Sequence, residues 1–305
     1  MGRYLAQRLL LTVLTVFLAL SFMFGVLHLA GDPVLLLVPV DSSPEFIERM
    51  RVEWGFADPL WLRYVRFVGR AGLGDFGVSL KYNVPALRLV LERLPATALL
   101  TAASILFAVS LGVPLGFLSA MRSGRLADRL ANVGSVLGQS IPSFWLGLLL
   151  ILVFSVMLGL LPTGGMGTLR QLVLPALTLG LYSLGRVVKL TRSSVLDVLR
   201  SDYVRTARAK GLREMVVLSR HVLKNASIPI VTIIGLQMSG LIGGAIVVET
   251  IFSWPGLGRL IVQSIQFRDF PTALAAVFFT AVTVSLVNLL VDLLYGLLNP
   301  RIVYG

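Results

Sequence analysis

Six Lys/Arg side chains (Arg205, Arg208, Lys210, Arg213, Arg220 and Lys224), two acids and one glycine, Gly211, fall between Asp202 and Pro229. The segment is flanked by strongly apolar stretches. Cations at this density suit either the anionic headgroups of a lipid leaflet or the polar face of a partner protein. Burying six of them at mid-bilayer, at about 2.5 to 3.5 kcal/mol each, would cost on the order of 15 kcal/mol or more, so the segment belongs outside the lipid. The charges do not recur every third residue through a spanning helix, which argues against a voltage sensor. A second group of residues lies within apolar stretches. Gln139, Ser140, Gln237 and Ser239 can line a polar path or hydrogen-bond one helix to another. Glu249 and Asp292 are ionisable groups in or near the membrane, functional candidates that can equally be satisfied by pairing at helix ends. His28 and His221 stand alone and cysteine is absent, so no histidine or thiolate metal cluster and no cysteine nucleophile is expected.

These residues are set in a chain of 305 residues that is 56% apolar and 14% charged, with a mean hydropathy of +0.87. That composition is of an integral membrane protein. A hydrocarbon core of about 30 Å needs roughly 20 apolar residues per helix, and six segments qualify. They lie at about residues 9–30, 94–121, 130–159, 171–190, 225–252 and 270–294. The third ends at the turn Leu161-Pro162-Thr163-Gly164-Gly165. The fourth is the least apolar, because Arg186 and Lys189 fall in its last turn and must snorkel. The apolar run of the first exceeds the 7 to 15 residues of a signal peptide, so it is read as a retained span. The expected fold class is an all-α integral membrane protein with six transmembrane helices in a single domain, 1–305.

Six spans place both termini on one side. One side carries 16 basic residues against four acids, and the other 11 against nine. The positive-inside bias therefore makes the termini and the 191–224 loop cytoplasmic, and residues 31–93 extracytoplasmic. The net charge of +12 is thereby explained by topology, with the lipid bilayer rather than nucleic acid as its partner. Within the cationic loop, residues 202–210 are good helix formers, Gly211 interrupts, and Met215, Leu218, Val222 and Ala226 recur at helical spacing. Two short helices hinged at Gly211 are expected. Prolines 114, 142, 175 and 229 fall within spans and either open backbone to a cavity or only kink. Gly112/Gly116, Gly134/Gly138 and Gly240/Gly244 are spaced for close helix packing.

The motif Asp202-Tyr203-Val204-Arg205-Thr206-Ala207-Arg208-Ala209-Lys210-Gly211-Leu212 resembles the cytoplasmic EAA loop of permease subunits in ATP-binding-cassette importers, in the basic form of the dipeptide/oligopeptide/nickel branch. Further pieces of the resemblance follow in order: Gly31-Asp32-Pro33, "GDFGVSL" from Gly74, "RLPATALL" from Arg93, "GVPLGFLSA" from Gly112 and "SIPSFWLGLLLILVFS" from Ser140. They continue with "LVLPALTLG" from Leu172, "ETIFSWPGLGRL" from Glu249 and "NLLVDLLYGLLNPR" from Asn288. Departures are Arg205-Thr206-Ala207 for Glu-Ala-Ala, His221 and Lys224 at later Ile and Pro positions, and Asn299 for the usual Asp before Pro300-Arg301.

The resemblance implies the type I importer permease fold and a place in the inner (plasma) membrane of a prokaryote. It implies a heterodimer with a second, homologous permease, one or two separate ATPase subunits, and an extracytoplasmic substrate-binding protein. ATP and Mg would be bound by the ATPases. No lysine of this chain follows a glycine, as a phosphate-gripping Walker loop requires, so the chain itself is expected to hold no cofactor or metal and to be no enzyme. The resemblance assigns Asp202, Tyr203, Arg205, Thr206, Ala207, Arg208, Lys210 and Gly211 to the ATPase contact, with Ala207 and Gly211 allowing close approach. Gln139, Ser140, Gln237, Ser239 and Glu249 are the candidates for the translocation path. Dipeptides or oligopeptides are the expected cargo; nickel chelates, glutathione and other small solutes belong to the same branch. An ion-coupled transporter or channel is the rival of a different class, and a structural membrane anchor a third.

Overall fold

Helix accounts for most of residues 2–29, 34, 38, 42–53 and 57–298, the residues that the computed structural model describes. Gly31-Asp32-Pro33 and Asn299-Pro300-Arg301 lie outside them. The elements are α1 (Gly2–Leu29), α2 (Pro44–Glu53), α3 (Leu60–Gly72), α4 (Ala86–Met121), α5 (Leu126–Ser140) and α6 (Ser143–Leu150), which widens into a π-helical stretch, Ile151–Met157. There follow α7 (Leu169–Leu199), α8 (Asp202–Ala209) and α9 (Glu214–Val216), the last continued by a π-helical stretch, Val217–Leu223, into α10 (Lys224–Ile251). The order closes with α11 (Leu257–Gln266) and α12 (Phe270–Leu298). Among the described residues the only extended pairing is one isolated bridge, Val78 to Pro85. Five helices are long and apolar enough to cross a membrane, or six if the bent pair α5 and α6 is one span.

That pair is bent by 102°, and Pro142 is the cause. Proline lacks the N–H that would continue the ladder and pushes its predecessor out of the α region. Ile141 accordingly has φ −78 and ψ 123, and Pro142 itself is extended. The sequence pattern alone reads as one uninterrupted apolar run there.

The helix expected over 171–190 runs on to Leu199, so residues 191–199 of the expected loop are helical. Its start is pinned by a capping box, in which Gln171 Oε1 accepts the Thr168 N–H at 2.8 Å. The low hydropathy of this span, 1.3, goes with the highest buried share, 56%. Its small and polar residues face protein rather than lipid, where close packing replaces the hydrophobic drive. A Cβ at Gly116 would stand 2.6 Å from the Val188 carbonyl oxygen, so α4 and α7 approach as only glycine allows.

The chain divides into two compact units, Met1–Pro95 with Leu257–Leu286, and Ala96–Gly256 with Val287–Gly305. In the first, Ala86, Leu89 and Val90 pack on Leu257, Leu260 and Ile261. The buried Asp269 carboxylate there accepts the Ser79 hydroxyl at 2.5 Å, the Leu80 N–H at 3.1 Å and the Thr272 hydroxyl at 2.8 Å. In the second, Leu100, Leu174, Val248, Phe252 and Trp254 form one core. The Trp254 indole donates to the Ala96 carbonyl at 2.8 Å, which satisfies its one polar atom.

A buried carboxylate gathers three helices of the second unit. Asp128, in the first turn of α5, is 4% exposed. It accepts the Ser119 hydroxyl at 2.6 Å, the Gly124 N–H at 2.8 Å, the Asn132 amide at 2.8 Å, and Arg192 Nε and Nη2 at 2.6 and 2.9 Å. Paired, two-point recognition of this kind fixes orientation as well as charge. It joins α4, α5 and α7 about two turns before the end of α7, beyond which the chain passes into α8.

Candidate functional site

The break at Ile141-Pro142 exposes the inner end of α5 to a cavity of about 500 Å³, walled by α5, α6, α7 and α10. Gln139, Ser140 and Gln237 line it, with Thr178, Tyr182, Ser183 and Arg186 from α7 and Gly240 and Gly244 from α10. The glycines keep the α10 wall low. Gln139 donates to the Ser135 carbonyl at 2.8 Å and Ser140 to that of Val136 at 2.9 Å. Arg186 donates through Nη2 to the Tyr182 hydroxyl and lies over its ring, 4.5 Å from the centroid.

Two of the five path candidates fall elsewhere. Ser239 donates to Asn288 Oδ1 at 2.6 Å and so ties α10 to α12. Glu249 does not line this cavity: it is fully buried, accepts the Thr97 hydroxyl at 2.6 Å, and lies where a Cβ at Gly256 would come within 2.1 Å of it. Its carboxylate is an internal brace for the turn after α10, where the Trp254 N–H donates to the Glu249 carbonyl at 2.8 Å. Sequence reasoning missed Tyr182 and Ser183 and took Arg186 only as a snorkelling cation. The signal was present: Thr178, Tyr182 and Arg186 recur every fourth residue on one helix, with Ser183 beside them.

The cationic segment breaks at Gly211 as expected, but only α8 is a short helix: the piece that starts at Glu214 runs on through the π-helical stretch into α10. The end of α8 is closed by a Schellman turn, in which Gly211 N–H donates to the Arg208 carbonyl at 2.9 Å and Leu212 N–H to that of Ala207 at 3.4 Å. Gly211 takes φ +75, which side-chain-bearing residues rarely adopt. Val204 and Ala207, three residues apart, turn inward and pack with Val195, Val217, Val222 and Ala226. The small side chain of Ala207, expected to leave room for a partner, seats α8 on its own chain here. Asp202, Tyr203, Arg205, Thr206, Arg208, Lys210 and Gly211 are exposed. Because the inward face of α8 is already covered by protein, its outward face is polar.

Arg208 spans the turn, donating Nη2 to Glu214 Oε1 at 2.6 Å and Nε to Oε2 at 3.1 Å. That hydrogen bond holds the Glu214 carboxyl below its ordinary range and raises Arg208. A depressed carboxylate contributes stability above its unfolded value of about 4.3 and loses it as pH falls through the lower folded value. Both side chains are half exposed, so solvent screening keeps the contribution within about 1 kcal/mol. Amide exchange across 204–212, corrected for intrinsic rate, is expected to be equally protected at pH 7 and 5.5 and to loosen only in stronger acid. Glu214→Gln should show the loosened level at every pH; equal protection in variant and wild type would refute the role of the pair.

A multi-helix membrane chain with a cavity bounded by a broken helix, and a cationic helical hinge carried on its central helix, has the parts of a transport subunit. Residues 112–304 match the family described as binding-protein-dependent transport system inner membrane component, and the chain belongs to that family, the permease subunits of ABC importers. It is 42% identical over 305 residues, the whole of both chains, to the glutathione transport system permease protein GsiC of Escherichia coli (strain K12) and to that of Shigella dysenteriae serotype 1 (strain Sd197). Its fold is that of the inward-facing MetNI methionine ABC transporter, with a TM-score of 0.58 at 18% identity over 70% of this chain and 97% of that one. An amino acid ABC transporter with histidines aligns with a TM-score of 0.55 at 18% identity, over 68% and 93%. The type I permease fold expected from the sequence is thus the fold observed.

Proposed function

We propose that this subunit imports short peptides, glutathione foremost, as half of a two-permease pathway. The carrying observation is the 42% identity with the glutathione permeases along the entire chain. Glutathione is itself a tripeptide, so this reading narrows the wider expectation of dipeptide or oligopeptide cargo. An extracytoplasmic binding protein delivers the substrate. One or two ATPase subunits, which bind ATP and Mg, dock on the exposed face of residues 202–224. Their closure is transmitted through α8 to α7 and so to the cavity. The basic excess on the loops of one side supports cytoplasmic termini and a multi-pass place in the bacterial inner membrane.

The test is affinity purification of the tagged chain from its native membrane, followed by reconstitution and ATP-driven uptake of labelled glutathione, dialanine and trialanine. A homologous permease, Walker-type ATPases and a binding protein are expected to co-purify, with glutathione uptake that stops on ATP depletion. Uptake that follows the proton gradient and ignores ATP would refute the proposal.

A further inference from the structure

We propose that Arg186, Ser183 and Gln237 form an anion-binding subsite for a carboxylate of the transported solute. The inference deepens the peptide-import reading and rests on it for the identity of the solute. Two buried polar atoms carry it. Ser183, 1% exposed, and Gln237, 6% exposed, line the cavity, and neither Ser183 Oγ nor Gln237 Nε2 has a hydrogen-bond partner. Buried polar groups are nearly always satisfied, and each one left unpaired costs about 1 to 3 kcal/mol. Both atoms are sealed from solvent but belong to residues that line one cavity, where a ligand acceptor would satisfy them once the side chains turn toward it.

The third member sets the sign of that ligand. Arg186 is on the same wall, one helical turn beyond Ser183, and donates to the neutral Tyr182 hydroxyl. Among the described residues no Asp or Glu lines the cavity. Guanidinium N–H, side-chain amide N–H and hydroxyl O–H are all donors, so the complementary group is an acceptor with negative charge, and a carboxylate meets both conditions. Tyr182, stacked on the guanidinium, holds its plane and leaves the remaining N–H groups for the ligand. A volume of about 500 Å³ is in the range of small-molecule sites. Every zwitterionic peptide carries a C-terminal carboxylate, and glutathione carries two.

The purified permease–ATPase complex, without binding protein, would be assayed for equilibrium binding of glutathione and trialanine as free acids and as their methyl esters. Wild type is expected to bind the acids at least about tenfold more tightly than the esters, as loss of a charge-assisted pair predicts. Arg186→Gln should erase that preference to within about twofold, and Arg186→Lys should restore part of it because the charge returns without the fork. Ser183→Ala and Gln237→Leu should each weaken acid binding by about three- to tenfold. Size-exclusion profiles and ATPase association report whether each variant has assembled. Equal binding of acid and ester by wild type overturns the subsite whatever uptake shows, as does an Arg186→Gln variant that assembles and keeps the preference. A preserved acid preference in a complex that takes up no peptide would refute peptide import and leave the anion subsite standing.

Discussion

Asp128→Ala is expected to destabilise the protein by about 3 kcal/mol, near the lower end of what removing one partner of a buried ion pair costs, because Arg192 keeps some access to solvent. The substitution strands more than a charge. The Ser119 hydroxyl, the Gly124 N–H and the Asn132 amide all lose the same acceptor, and each orphaned donor adds its own desolvation penalty. Arg192→Ala alone should cost less, because the carboxylate retains three donors. The double variant should fall well short of the sum, since each substitution removes the same pair. Denaturant or thermal unfolding in detergent measures all three. An Asp128→Ala protein within about 0.5 kcal/mol of wild type would show the network to be idle. The consequence for transport follows from position: the network anchors α7 about two turns before its end, beyond which the chain enters α8, so a loosened anchor should also dull the response of the cavity to ATP.

Gly211→Val is expected to lower ATP-driven uptake tenfold or more. The position has φ +75, and a β-branched side chain in that region costs about 1 to 3 kcal/mol. The Schellman turn then has to rearrange, and with it the exposed face formed by Tyr203, Arg205 and Lys210. Gly211→Asn separates conformation from contact, because asparagine visits the left-handed region with little penalty. It should keep uptake within about twofold if backbone geometry is what glycine supplies. Gly211→Asp tolerates the same backbone and adds a charge among Arg205, Arg208 and Lys210. Its expected result is loss of uptake and of ATPase co-purification, because the added carboxylate changes the charge of the docking face. No atom lies within 4 Å of a Cβ built at this position, so the effect must come through a partner. Normal uptake and normal ATPase association in Gly211→Asp would refute docking at this point.

Much of this protein is determined by sequence alone, because lipid imposes simple rules. Apolar runs of membrane length, the skew of Arg and Lys between loops, and the ordered motifs from Gly74 to Asn288 specify a helical permease without reference to contacts. The Gly211 hinge was legible for a local reason: helix formers, one glycine and a renewed helical period lie within a few residues. What required the tertiary structure is which side of each helix meets protein. Ala207 and Glu249 look exposed to chemistry in sequence and are buried, one seating α8 and the other bracing a turn. Pro142 was legible as a kink or an opening within one span, but not its 102° angle or the cavity that the bend opens. Arg186, read from sequence as a residue escaping the membrane, shares a wall with two unpaired polar atoms from α7 and α10, helices whose facing sides no local pattern predicts. Spacing along one chain specifies a face; only packing decides what that face meets.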